Sequence, residues 1–328
     1  MKYTTLNEIY FIEKRRDAEM ELAIITARQV IELFILIAAG VLLKKIGMIS
    51  KDTKRFLSDL LIKFVVPCMI LNSYIGSYED NVLSNIGRSF LYSVVLCVLG
   101  IIISLVIAKF VREESRGIFK FACSFSNAAY MGFPLIRALF GDEGILYASA
   151  YVTVFNILLW TVGCVFFADR MPLKQLLKNL VSCPPIIAVA VGLIIYLLKI
   201  PVADVIAEPI GTIGAMTTPL SMIITGATMA ENSFLSLLKK QNLCIAIVVR
   251  LVLIPLVCLG IFKLLGLNGM TAMVTLILEA CPAAAITTLF AIQHNKDEQY
   301  AAAVVVISTF LSIITLPCYA YLLTCVLG

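Results

Sequence analysis

The chain has 328 residues, 61% of them hydrophobic and 14% charged, where soluble domains run at about 45–50% and about 25%. With a mean hydropathy of +0.99, this composition excludes an ordinary soluble globule, and with it collagen, a disordered chain and a disulfide scaffold. The net charge of +5 does not point to nucleic acid, because the cations sit in short loops between apolar blocks and not in one patch.

Residues 1–19 are polar and of mixed charge, from Glu13 to Glu19, with no apolar core that could act as a secretory signal. Met20 directly precedes the first apolar stretch, so residues 1–19 read either as a native extension or as a segment upstream of the natural start. From residue 20 to residue 328 no stretch of soluble composition intervenes, and a single membrane domain is expected. Ten stretches are near the length needed to cross the hydrocarbon. They lie at 28–48, 56–76, 86–109, 117–139, 144–168, 183–199, 206–230, 242–265, 270–293 and 299–327. The expected fold class is therefore an all-α polytopic membrane protein of ten transmembrane helices.

Positive loops stay cytoplasmic. The loops after spans 1, 3, 5, 7 and 9 carry 15 Lys and Arg, from Lys44 to Lys296, and the opposite loops carry only Arg88, Lys199 and Lys263. This asymmetry predicts a multi-pass protein of the cell membrane with both termini extracellular.

The two halves share landmarks at an offset of 152 to 155 residues. Gly40 meets Gly192, Pro67 meets Pro219, Asn127 meets Pro282, and Asp142-Glu143 meets Asp297-Glu298. A repeat at about 26–169 and another at about 182–327 is the reading, and two five-helix units in tandem must be inverted relative to each other.

Span 4 holds Ser124, Ser126, Asn127, Gly132 and Pro134 in its middle, and span 9 holds Glu279 and Pro282 in the equivalent place. Proline removes a backbone donor and clashes with the preceding turn, so both spans are expected to break. A helix restarting at the membrane centre presents free N–H groups and a positive dipole end, which suits an anion.

The run SNAAYMGFPLIRALFGDEG at 126–144, GVLLKKIGMI in span 1 and KFVVPCMIL in span 2 resemble the auxin efflux carrier family. That family includes PIN-type plant exporters of indole-3-acetate and bacterial permeases for malate or malonate. The resemblance implies a secondary carrier of small organic anions in which helices 4 and 9 cross at their breaks. The substrate site would lie at the crossing, with Asn127, Gly132, Pro134, Pro282 and Ala283 around it. Its likeness to the bile acid sodium symporters implies ion coupling through Glu279, Ser126 and Asn127, by Na+ or by H+. Span 9, however, has no amide side chain directly after Pro282.

Ionisable residues inside spans are costly and tend to be functional. Glu279 reads as an ion or proton carrier or as half of a structural pair. Lys63 and Asp59 are one helical turn apart and read as a local ion pair or as a counter-ion to the substrate. Arg250 lies about two turns from Lys240 and is expected to snorkel to the interface. Glu32 and Arg137 fall near outer ends. The ten cysteines are irregularly spaced without a CxxC pair and read as small buried hydrophobes. HExxH, GxGxxG, a P-loop and a Ser-His-Asp arrangement do not occur, so no enzyme and no resident cofactor is expected. A channel or a nontransporting membrane sensor is the alternative, and the expected partners are the organic anion, the lipid bilayer and, as an option, a second copy in a homodimer.

Overall fold

Helices account for the regular structure of the described residues, apart from one isolated bridge. The computed structural model describes residues 28, 31–75, 83–167, 182, 184–230 and 241–327. The expected extension at 1–19, the start at Met20, Cys183 and the cation-bearing stretches at 170–178 and 239–240 lie outside them.

Helix α1 covers 31–45. The Ser50 side chain accepts from Thr53 N at 3.1 Å and caps α2 (Lys51–Leu60), a contact worth about 1 kcal/mol. A wide π turn at Leu61–Val65 leads into α3 (Val66–Tyr74). Then come α4 (Leu83–Ile107), α5 (Glu113–Ser124), a π turn at Ala128–Gly132, and α6 (Phe133–Leu158). A π turn at Leu159–Gly163 joins α6 to α7 (Cys164–Phe167). The second half holds α8 (Pro184–Leu197), α9 (Asp204–Ala215), α10 (Thr217–Met229) and α11 (Gln241–Val248). A π turn at Val249–Leu253 precedes α12 (Ile254–Leu264), followed by α13 (Met270–Ala280), α14 (Ile286–Gln293) and α15 (Glu298–Leu327).

Three of these π turns stand directly before a proline in the first turn of the next helix, Pro67, Pro134 and Pro255. A proline ring cannot approach the carbonyl four residues back and supplies no N–H to it, so the preceding turn widens by one residue while the helix axis continues.

The structure corrects the expected fold. Among the described residues five helices are long and apolar enough to cross a membrane: Gly87–Phe110, Glu143–Phe167, Asp204–Met229, Asn242–Leu264 and Glu298–Leu327. Pro184–Leu197 and Met270–Ala280 are apolar but shorter. Ten transmembrane helices arranged as two inverted five-helix repeats are therefore not what the structure shows. The reason is physical: a window of apolar residues measures composition, whereas the apolar stretches at 117–139 and 270–293 change backbone conformation midway.

Large apolar side chains face outward along the helices, among them Ile35, Leu91, Ile102, Leu197 and Ile314. Such a surface would be untenable in water and is the lipid-facing side of a multi-pass membrane protein.

Inside the bundle, α3 packs on α8 and α9, while α4, α6 and α13 pack on one another. Where α1 meets α10 the approach is backbone to backbone: a Cβ on Gly40 would strike the Ile223 carbonyl, and one on Gly226 would strike the Ile37 carbonyl. Small residues allow this contact in a lipid environment, where packing and not water exclusion joins helices. Gly226→Val is expected to cost at least about 1–3 kcal/mol through overpacking. A lowered melting temperature in detergent checks it; an unchanged one would show that α1 shifts freely.

Candidate functional site

Two chain breaks meet at the centre of the bundle. Helix α5 ends at Ser124, and Phe125 is extended (φ −116°, ψ 121°). Helix α13 ends at Ala280, and Cys281 is extended (φ −60°, ψ 153°), the conformation that the following Pro282 favours. The two extended pieces pair antiparallel, Ser126 opposite Ala283. Asn127 N donates to Pro282 O at 2.7 Å and Ala284 N donates to Phe125 O at 2.9 Å. Ala283 N donates to Ser308 Oγ of α15 at 3.1 Å. The backbone groups that the breaks set free thus find protein partners, as they must away from water.

On one side of this junction lies a buried charged network. Arg250, in the π turn before α12, is fully buried and pairs with the fully buried Glu279, Nη1 to Oε1 at 3.1 Å. Its Nη1 also donates to Cys123 O at 2.8 Å and its Nε to Cys281 O at 3.0 Å, while Nη2 donates to Glu279 O. The second Glu279 oxygen accepts from Tyr151 OH at 2.6 Å, and Ser126 Oγ lies 3.3 Å from that hydroxyl. The guanidinium therefore sits on the carbonyl ends of α5 and α13, where both helix dipoles are negative. Snorkelling of Arg250 to the interface is overturned: the carboxylate and three carbonyls satisfy the charge where it stands. Its sequence neighbours gave no sign of partners on two other helices.

On the other side lies a small, partly open cavity of about 30 Å³. Its walls are apolar (Val66, Met69, Phe155, Leu159, Ile286), and Ser126, Asn127, Asn156, Trp160, Ala284 and Ala285 complete them. Three buried donors at this wall have no hydrogen-bond partner: Asn127 Nδ2, Asn156 Nδ2 and Trp160 Nε1. Trp160 is held by Phe290 of α14, ring centroids 5.2 Å apart, and Phe290 in turn rests on Phe121 of α5 at 4.7 Å. The helical segments that begin at Ala128 and Ile286 border the same space. Their N–H ends add positive potential to that of the free donors. No charged side chain lies among the described residues of the wall.

The remaining expected site residues fall elsewhere. Gly132 faces α13, where a Cβ would strike Leu278 and approach Cys281 Sγ, so its role is helix packing and not cavity lining. Pro134 sits in the first turn of α6. Pro282 and Ala283 contribute backbone to the junction. Lys63 and Asp59 form an exposed ion pair at 2.9 Å on the surface, with Gln293 Nε2 also donating to Asp59 at 3.0 Å. Neither lines the cavity, and the cation beside Glu279 is Arg250 instead.

Glu279 and the carbonyls at these helix ends are already engaged and offer sodium no free ligand. In carriers built on interrupted helices, carbonyls at half-helix ends ligate the ion; here Cys123 O, Glu279 O, Cys281 O and Glu279 Oε1 all face one guanidinium. Among the described residues no group of three or more His, Cys, Asp or Glu could hold a metal.

Comparison with known proteins agrees with the architecture. The chain matches the membrane transport protein family over residues 25–172 and 170–320. It belongs to that family. An uncharacterized transporter of Methanothermobacter thermautotrophicus is 24% identical over 300 residues, covering 90% of this chain and 97% of the relative. The uncharacterized transporter MJ1031 of Methanocaldococcus jannaschii is 22% identical over 311 residues, with the same coverage of 90% and 97%. Protein ECM3 of Saccharomyces cerevisiae is similar over a shorter stretch, 23% identical across 127 residues, which is 38% of this chain and 20% of the yeast protein. Membership in a membrane transport family places the chain among transporters and not among enzymes.

Sequence reasoning missed Asn156, Trp160 and Tyr151. The signal for the first two was present in FNILLW at 155–160: an amide and the chain's one Trp inside an otherwise apolar span. A polar group in such a position needs a partner or a ligand.

Proposed function

We propose that this transporter is a secondary carrier of small organic anions, carboxylates foremost, working by alternating access to the cavity beside the paired breaks. One observation carries the reading: three residues that line one largely apolar cavity each carry a buried N–H donor without a partner. A buried donor left unpaired costs about 1–3 kcal/mol, and an acceptor-rich ligand that arrives from water removes the cost. A carboxylate offers acceptors only. The donors are neutral, so the site suits one negative charge on an apolar body better than two. The likeness of the run at 126–144 to auxin efflux carriers supports the same class of substrate. Purified protein should gain thermal stability, saturably, from a short monocarboxylate and not from the isosteric primary amide, because binding to the native state alone stabilises it. Equal response to acid and amide, or to neither, would sink the assignment.

Both termini are proposed to lie outside. Contacts between loops support that grouping: Lys54 pairs with Glu298 at 2.6 Å and Arg55 Nη1 donates to Asn295 at 3.3 Å, which joins the first and last cation-rich turns. At the opposite end Gly269 N donates to Leu327 O at 3.1 Å. Cysteines placed at Ser50 and Ser115 should react with an impermeant reagent only from the cytoplasm. Reaction from outside would invert the topology.

A further inference from the structure

Arg250 occupies the place that a coupling cation would need, and we infer that this tethered cation makes the carrier independent of sodium. The inference rests on the carrier reading, although its test does not require transport. Four oxygens converge on the guanidinium: three main-chain carbonyls at the ends of α5 and α13, and Glu279 Oε1. Hard monovalent cations would be held by the same kind of oxygen cluster at half-helix ends. Here each of those oxygens already accepts from an N–H, and the other Glu279 oxygen already accepts from Tyr151 OH. Arginine and glutamate are both fully buried, so no exposed face of the cluster is left for an ion to approach from water.

A guanidinium stays protonated at every physiological pH. It therefore supplies a permanent positive charge to the junction, and it cannot be released with the substrate as a dissolved ion can. The role of Arg250 is positional. It fastens the carbonyl ends of α5 and α13 to each other, while the opposite sides of the same breaks, Asn127 and Ala284–Ile286, form the cavity wall. A soluble cation in that position would order the cavity only when bound; a covalent one orders it at all times.

Arg250→Ala leaves a carboxylate and three carbonyls around a space of guanidinium shape, so the variant should acquire the cation site that the parent lacks. Melting of the detergent-purified proteins is measured in choline chloride with graded additions, to low millimolar, of sodium, potassium or guanidinium chloride at constant ionic strength. The parent should show no response specific to sodium. Arg250→Ala should melt lower in choline and recover saturably with guanidinium or sodium. Arg250→Gln/Glu279→Gln, which removes both charges and keeps hydrogen-bonding groups, should show no such recovery. A parent stabilised by sodium over choline and potassium overturns the inference, as does an Arg250→Ala protein that no added cation restores, or a double variant restored as well as the single one. If Arg250→Ala cannot be purified, the parent's sodium response decides alone. Carboxylate stabilisation of the parent, recorded in the same salts, reports separately on the carrier reading: its absence would remove that reading and leave the cation result intact.

Discussion

Glu279→Ala is expected to lower stability by about 3–5 kcal/mol, because it leaves the Arg250 guanidinium buried without its counter-charge. The loss is that of an orphaned ion and not the net worth of the pair. Glu279→Gln should cost less, since the amide oxygen can still accept from Arg250 while the amide NH2 donates to Tyr151 OH, the two groups that now bond the two carboxylate oxygens. Replacing the two charges together, Arg250→Met with Glu279→Leu, should recover much of the loss, because two apolar side chains of similar volume carry no desolvation penalty. Reversible denaturation of all three variants in one detergent gives the comparison. If the double variant is no more stable than Glu279→Ala, the network holds the helix ends through more than charge balance.

The second large effect concerns ligand affinity. Each of Asn127, Asn156 and Trp160 offers a hydrogen bond to a charged group, worth about 1.5–3 kcal/mol, which is roughly 10- to 100-fold in Kd. Asn156→Leu and Trp160→Phe should therefore weaken carboxylate binding by that factor, and together by more. Trp160→Phe keeps a ring against Phe290 and removes only the indole N–H. The same substitutions should leave the unliganded protein as stable as the parent or more so, since each removes a buried donor without a partner. Titration calorimetry and melting on the same preparations separate the two effects. Loss of stability in step with loss of binding would mean that these donors have partners in the unliganded protein.

How much of this was legible in the sequence differs from residue to residue. Composition alone carried the class: a chain this apolar can only satisfy its backbone in lipid as helices or a closed barrel, and the helical alternative is the one found. Where α13 ends agrees with Pro282, whose ring disfavours helix at Cys281. The number of spanning helices did not follow, because an apolar window over 117–139 or 270–293 is the same whether the backbone runs straight or turns midway. Nor did the π turns before Pro67, Pro134 and Pro255, each of which keeps a helix going where proline suggests a stop. Glu279 stands out in the sequence as an acid inside a span, yet its partner Arg250, 29 residues away along the chain, reads there as an interfacial cation. Charge partners are set by which helices become neighbours, and periodicity within one helix is silent about that. Asn156 and Trp160 were hidden for the opposite reason: single polar groups in apolar runs are common as satisfied core residues, and only the cavity distinguishes them.

The cavity lined by Asn127, Asn156 and Trp160 is proposed to carry an organic anion across the bilayer. Counterflow in proteoliposomes tests it most directly: vesicles loaded with a millimolar short monocarboxylate are diluted into a trace of the labelled compound, with the membrane potential clamped. Parent vesicles should accumulate label transiently, saturably with internal substrate and unchanged when sodium is replaced by choline, and Asn127→Ala with Asn156→Leu should abolish the accumulation. Equilibration without overshoot, or overshoot that persists in the double variant, would contradict that role of the cavity.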